Sequence, residues 1–192
     1  MKTNNIGLRI SALIILATLF ISPFLFAGEP AGKDDLKPRV TVQVDGLTCP
    51  FCAYGLEKRI QEIPAVEQSI INLKKGTAEL IPKEGQHIDI DKVKAAVIAG
   101  GFTPREIQVA VAGQFIEWNG IPALSIISTS REDKKVKTIY VLKDNSQLKR
   151  LKASVKSSGQ KVFITGIASE APPLGHTDHH PYIVDIESFH IL

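Results

Sequence analysis

Apolar and polar residues alternate strictly in Val40, Thr41, Val42, Gln43 and Val44, which predicts a half-buried strand. After Gly46 the period changes. Ala53, Leu56, Ile60 and Ile63 recur at spacings of three and four, a helical stripe that Pro64 ends. Residues 66–73 return to strand character, Lys75 and Gly76 form a tight turn, and residues 77–81 supply the hairpin partner. Asp89 or Asp91 caps a second helix carrying Ile90, Val93 and Val97, which Gly100 and Gly101 close. Ile107, Val109 and Val111 alternate in a last strand. The order βαββαβ packs as a four-stranded antiparallel sheet with both helices on one face, the ferredoxin-like arrangement.

From Gly113 onward short runs of β-branched residues dominate. Residues 115–118, 123–127 and 138–142 read as strands, and an amphipathic run around Leu148, Leu151 and Val155 follows them. Residues 161–167 and 182–191 read as two more. Five strands with one helix between the third and fourth match a small barrel of the oligonucleotide/oligosaccharide-binding (OB) topology. The expected fold class is therefore α+β: a ferredoxin-like domain over residues 39–112, then an OB-like β-barrel over residues 113–192.

The N-terminus reads as an export signal over residues 1–27. Lys2 and Arg9 precede an apolar run from Ile10 to Phe26, and Ala27-Gly28 offers small residues for cleavage. An uncleaved anchor is the competing reading, although Pro23 interrupts a stretch slightly short of the roughly 20 apolar residues of a membrane span. Residues 28–38 read as a flexible lead-in. Export places the chain in the periplasm or an equivalent compartment, with a membrane partner only if the anchor stays. Without Lys2 and Arg9 the chain keeps 21 basic against 20 acidic residues, from totals of 23 and 20. That balance gives no electrostatic reason to expect nucleic acid.

The chemistry concentrates in Cys49-Pro50-Phe51-Cys52, between the first strand and the first helix. These are the two cysteines of the chain, too close together to staple a disulfide scaffold. With Cys49 as N-cap and Pro50 at the first helical position, the unpaired N–H groups of the first turn face both sulfurs. The helix dipole favours thiolate there. Paired thiolates select Cu(I) and similar soft ions, while structural zinc wants four ligands and this domain adds only His87. The same pair suits an idle disulfide, or the redox pair of a thiol–disulfide oxidoreductase.

Gly46-Leu47-Thr48-Cys49-Pro50-Phe51-Cys52 after a strand, the βαββαβ spacing and Gly101-Phe102 near its end together resemble the heavy-metal-associated domain. That family includes copper chaperones, metal-binding domains of copper-transporting ATPases and the periplasmic mercury-binding protein. The resemblance covers residues 39–112. It implies that Cys49 and Cys52 ligate the metal, Cu(I) or Hg(II), and that Phe102 lies in the loop covering the site. It also implies a non-enzymatic carrier whose partner is a metal transporter or another metalloprotein. Leu47 stands where the family usually has Met, and a proline within the motif is less typical.

A second candidate is the tract Gly175-His176-Thr177-Asp178-His179-His180-Pro181. His176, Asp178, His179 and His180 could hold a borderline metal, or could form a solvated turn between the last two strands. His190 reads as a surface residue, and Trp118 and Tyr140 as core or rim. Residues 131–135 and the basic helix face between Lys143 and Lys156 read as solvated charge.

Overall fold

A computed structural model describes residues 36–129, 134–171 and 182–192. The export-signal region, the hairpin tip at 131–133 and the histidine tract at 176–180 lie outside the described residues.

Strand β1 (Arg39–Asp45) buries its valines and turns Thr41 and Gln43 outward. Helix α1 (Pro50–Gln61) follows and buries Ala53, Leu56 and Ile60. Next come the hairpin β2 (Val66–Asn72) and β3 (Thr77–Pro82) and helix α2 (Ile90–Ala99), which buries Ile90, Val93 and Val97. Asp89 proves to be the N-cap, accepting the Asp91 N–H at 2.9 Å. Such a cap contributes about 1 kcal/mol. Both helices and the buried face of the sheet share one hydrophobic core. Leu56 and Ile60 are fully enclosed, each stabilising the fold by about 1.5–3 kcal/mol.

Strand β4 (Thr103–Trp118) is where the structure departs from the expected elements. The two strands read on either side of Gly113 are one strand of 16 residues. Its first half pairs antiparallel with β1, from Arg39 opposite Ala110 to Asp45 opposite Thr103. Its second half pairs with β5 (Ile121–Thr129), and residues 107–114 also pair with β7 (Lys161–Glu170). Gly113 allows this continuity. A Cβ there would stand 2.7 Å from Leu124 Cγ and 2.8 Å from the Ser125 carbonyl oxygen, distances no side chain tolerates. The missing side chain therefore permits the close approach of β5 to β4.

Beyond β4 the strands close on themselves. β5 pairs with β6 (Lys135–Leu142), β6 runs parallel to β8 (Tyr182–Ile191), β8 pairs with β7, and β7 returns to β4. Helix α3 (Ser146–Ser154) lies between the third and fourth strands of this ring and contributes Leu148 and Leu151 to the core. The result is the five-stranded mixed barrel of OB-like topology that the strand pattern leads one to expect. Asn145 caps α3 by accepting the Leu148 N–H at 2.8 Å. Its amide also donates to Asp185 Oδ1 at 2.6 Å and to the Ile186 carbonyl at 2.9 Å. Lys143 and Asn145 together hold the Asp185 carboxyl below the usual carboxylate range.

Candidate metal centre

The loop that presents the cysteines is set by three residues. Gly46 takes φ +85°, the left-handed region that a side chain disfavours, and turns the chain off the end of β1. Leu47 then drops into the core, 2% exposed, and anchors the loop from below. The Thr48 N–H closes the turn on the Gly46 carbonyl at 2.9 Å. Cys49 follows in extended conformation as the N-cap of α1, with Pro50 in the first helical position and the Cys49 carbonyl accepting the Ala53 N–H at 3.0 Å.

Both cysteines are free thiols, Cys49 partly and Cys52 openly exposed. Their environments differ in sign. Cys49 sits below the ordinary thiol range, chiefly because the Cys52 thiol donates to it and then because the backbone N–H groups of Cys52 and Phe51 face it. No complete side-chain cap forms, so these amides act by field rather than as a closed capping bond. Cys52 is pushed up, first by its hydrogen bond to Cys49, then by partial desolvation and by the Cys49 charge. The two sulfurs are therefore unequal, Cys49 the more readily deprotonated and Cys52 the less. An ion bound by both sulfurs would release the Cys52 proton.

Phe102 reaches this loop from the opposite side. Its N–H donates to the Val97 carbonyl at 3.1 Å, which holds the residue to the end of α2. The ring lies against the backbone of Gly46 and Gly100: added Cβ atoms would meet it at 3.8 and 3.2 Å. The ring thus stands near Gly46, at the root of the cysteine loop.

Sequence reasoning missed two neighbours. Phe51 is 89% exposed and Tyr54 61% exposed, flanking Cys52 on the outer surface of α1. Lys58 covers the Tyr54 ring with its ammonium 5.3 Å from the centroid. The signal was present, because both aromatics stand off the stripe of Ala53, Leu56 and Ile60 and so have no place in the core.

Other polar candidates do not converge on the cysteines. His87, in the β3–α2 connection, lies beside the start of β1, whereas the cysteines follow its end, about 20 Å away along seven strand residues. Its Nε2 is 2.8 Å from the Tyr140 hydroxyl, and the two rings meet edge-on at 5.5 Å. Burial lowers its pKa to about 4 against a small opposing pull from Asp89. A shallow cleft of about 190 Å³ opens there between Arg39, His87, Val111 and Ile127, remote from the thiols. Tyr140 is core, as expected. His190 is half-buried on β8 opposite Phe163. His176, Asp178, His179 and His180 lie outside the described residues. Among the described residues no three His, Cys, Asp or Glu side chains gather as a metal site, so the thiol pair has no third protein ligand there.

Residues 41–103 match the model of the heavy-metal-associated domain. Copper-transporting ATPase 1 of Rhizobium meliloti (strain 1021) is 30% identical over 93 residues. That match spans 46% of this chain and 10% of the ATPase, so the chain covers about a tenth of the length of such relatives. Among solved structures, a CopZ metallochaperone aligns at 19% identity over 35% of this chain and 98% of its own, with a TM-score of 0.33. A small single-stranded DNA-binding protein from Streptomyces coelicolor aligns at 15% identity over 45% of this chain and 94% of its own, with a TM-score of 0.34. The chain thus carries a heavy-metal-associated domain with its cysteine pair, followed by an OB-like barrel.

Proposed function

We propose that this chain uses its heavy-metal-associated domain as an exported, non-enzymatic carrier, capturing a thiophilic ion on Cys49 and Cys52 and handing it to a transporter or another metalloprotein. Cu(I) is the first choice and Hg(II) the second. The observation that carries this reading is the pair itself: a free cysteine at a helix N-cap, its pKa lowered, beside an exposed free cysteine three residues on. Soft sulfur selects soft monovalent ions. Relatives named as copper-transporting ATPases support copper.

Release follows from low coordination. Two protein sulfurs leave the ion open on one side, where an incoming thiolate of the acceptor can bond. The three-coordinate intermediate then loses one of the two cysteines, and a second acceptor thiolate displaces the other. Exposed Phe51 and Tyr54 frame the approach to Cys52. Export rests on the apolar run from Ile10 to Phe26 and the Ala27-Gly28 cleavage signal. A membrane partner enters if that segment is retained.

Competition titration of the reduced protein against a chromophoric Cu(I) chelator tests the reading. One equivalent should bind tightly, and Cys49→Ser or Cys52→Ser should abolish tight binding. Unchanged affinity in either variant rejects it. Thiol–disulfide exchange is the second reading, favoured by the asymmetry of the pair, since a lowered Cys49 suits a nucleophile and Cys52 a resolving thiol. Catalytic disulfide reduction by the metal-free protein would select it.

A further inference from the structure

Two barrel strands hold the N-terminal end of α2, and two others hold the connection that leads into it. On β5 the Thr129 N–H donates to the Gly85 carbonyl at 3.1 Å, and on β6 Tyr140 meets His87. On β7 Glu170 pairs with Lys94, and on β8 the buried Tyr182 donates its hydroxyl to Asp91 Oδ1 at 2.5 Å. Glu170 and Tyr182 stand opposite each other in the β7–β8 ladder, so Asp91 and Lys94, three residues apart on α2, are held from one place. The other end of α2 carries Phe102, whose ring leans on Gly46 at the root of the cysteine loop.

Between those ends α2 is a rod of 10 residues, about 15 Å long. It rests on the sheet through Ile90, Val93 and Val97. Burial of three aliphatic side chains is non-directional and lets a short helix tilt. The polar contacts at its N-terminal end are directional and do not. The approach of the Phe102 ring to Gly46, where a built Cβ would meet it at 3.8 Å, is also steric, so it depends on where the rod points.

We propose that Tyr182 is a positioning residue for the dithiol: the barrel locks the far end of α2 so that Phe102 keeps its place beside Gly46 and limits the movement of the loop that places Cys49. The inference rests on Cys49 and Cys52 being the working pair, and is independent of which ion they take. It gives the barrel a role in the chemistry of a site it does not touch.

The test uses the reduced, metal-free protein and a chromogenic aromatic disulfide, followed by stopped flow on the high-pH plateau where thiolate fraction no longer matters. Phe102→Ala should speed modification of the cysteines. Tyr182→Phe, which removes one hydroxyl, should speed it about three- to tenfold. The double variant should be no faster than Phe102→Ala alone, because both changes release the same loop. Lys94→Met should act in the same direction and replaces Tyr182→Phe if that variant does not fold. A Tyr182→Phe protein that melts earlier but reacts at the parent rate overturns the proposal, as does an effect that multiplies with Phe102→Ala. A parent protein that binds no Cu(I) would remove the carrier reading and leave this comparison intact.

Discussion

Tyr140 places its hydroxyl 2.8 Å from Nε2 of His87, joining the third strand of the barrel to the connection that precedes α2. Both groups are shut away from water, which lowers the pKa of His87 to about 4 and raises that of Tyr140. The bond therefore unites a neutral imidazole with a neutral phenol, and protonating the imidazole works against it.

The lowered His87 pKa sets the sign of the acid response. Between its ordinary value of 6.5 and about 4, the unfolded chain binds a proton at this site that the folded chain does not. Stability is then complete above pH 6.5 and declines as pH falls toward 4, by about 2–3 kcal/mol at most. Urea midpoints measured from pH 7 to 4 should show this decline, and His87→Gln should flatten it. A parallel decline in the variant would assign the acid limb to other groups.

Cys52 supplies the largest single influence on the Cys49 thiol. Cys52→Ala should therefore move the pH profile of Cys49 alkylation upward, toward that of an ordinary thiol. Mass-spectrometric alkylation rates between pH 5 and 9 measure it. An unmoved profile would place the control in the backbone amides instead.

Gly113 lies where β4 passes from the sheet into the barrel. Gly113→Val forces atoms into Leu124 and Ser125 and should cost about 3 kcal/mol. Because one strand serves both halves, heating the parent protein should give a single calorimetric transition, and the variant should lower it as one. Two separate transitions would refute the coupling.

Leu47 fills a buried slot and offers no ligand. Leu47→Met conserves volume and should cost less than about 1.5 kcal/mol, with Cu(I) affinity unchanged. Leu47→Ala should cost about 2–5 kcal/mol and loosen the loop. Thermal melts paired with the chelator titration separate the two effects.

Local pattern carried far. The valines of β1, the stripe of α1 and the Asp89-capped α2 all stand where periodicity and capping chemistry put them, since burial of one face is written into every second, or every third and fourth, residue. Cys49 as N-cap with Pro50 behind it was equally legible, because helix starts obey short-range rules. The barrel helix between the third and fourth strands followed from the same patterning.

Gly113 shows the limit. Read alone it breaks an alternating run and suggests the end of a strand, whereas the close approach of Leu124 and Ser125 makes it the residue that lets the strand continue. Phe51 and Tyr54 could be seen to leave the apolar stripe, yet their exposure beside Cys52 needed the packed helix to be seen.

From residue order alone came the two sulfurs, their helix start, the proposal of soft-metal chemistry and the two successive architectures. Folding in three dimensions decided that these share a strand, and that Tyr182 reaches Asp91 across 91 residues of chain. The physical reason is range. Periodicity and capping are governed by neighbours within a few residues, while the partner of a buried hydroxyl depends on which distant strands close together, and no short stretch of sequence encodes that.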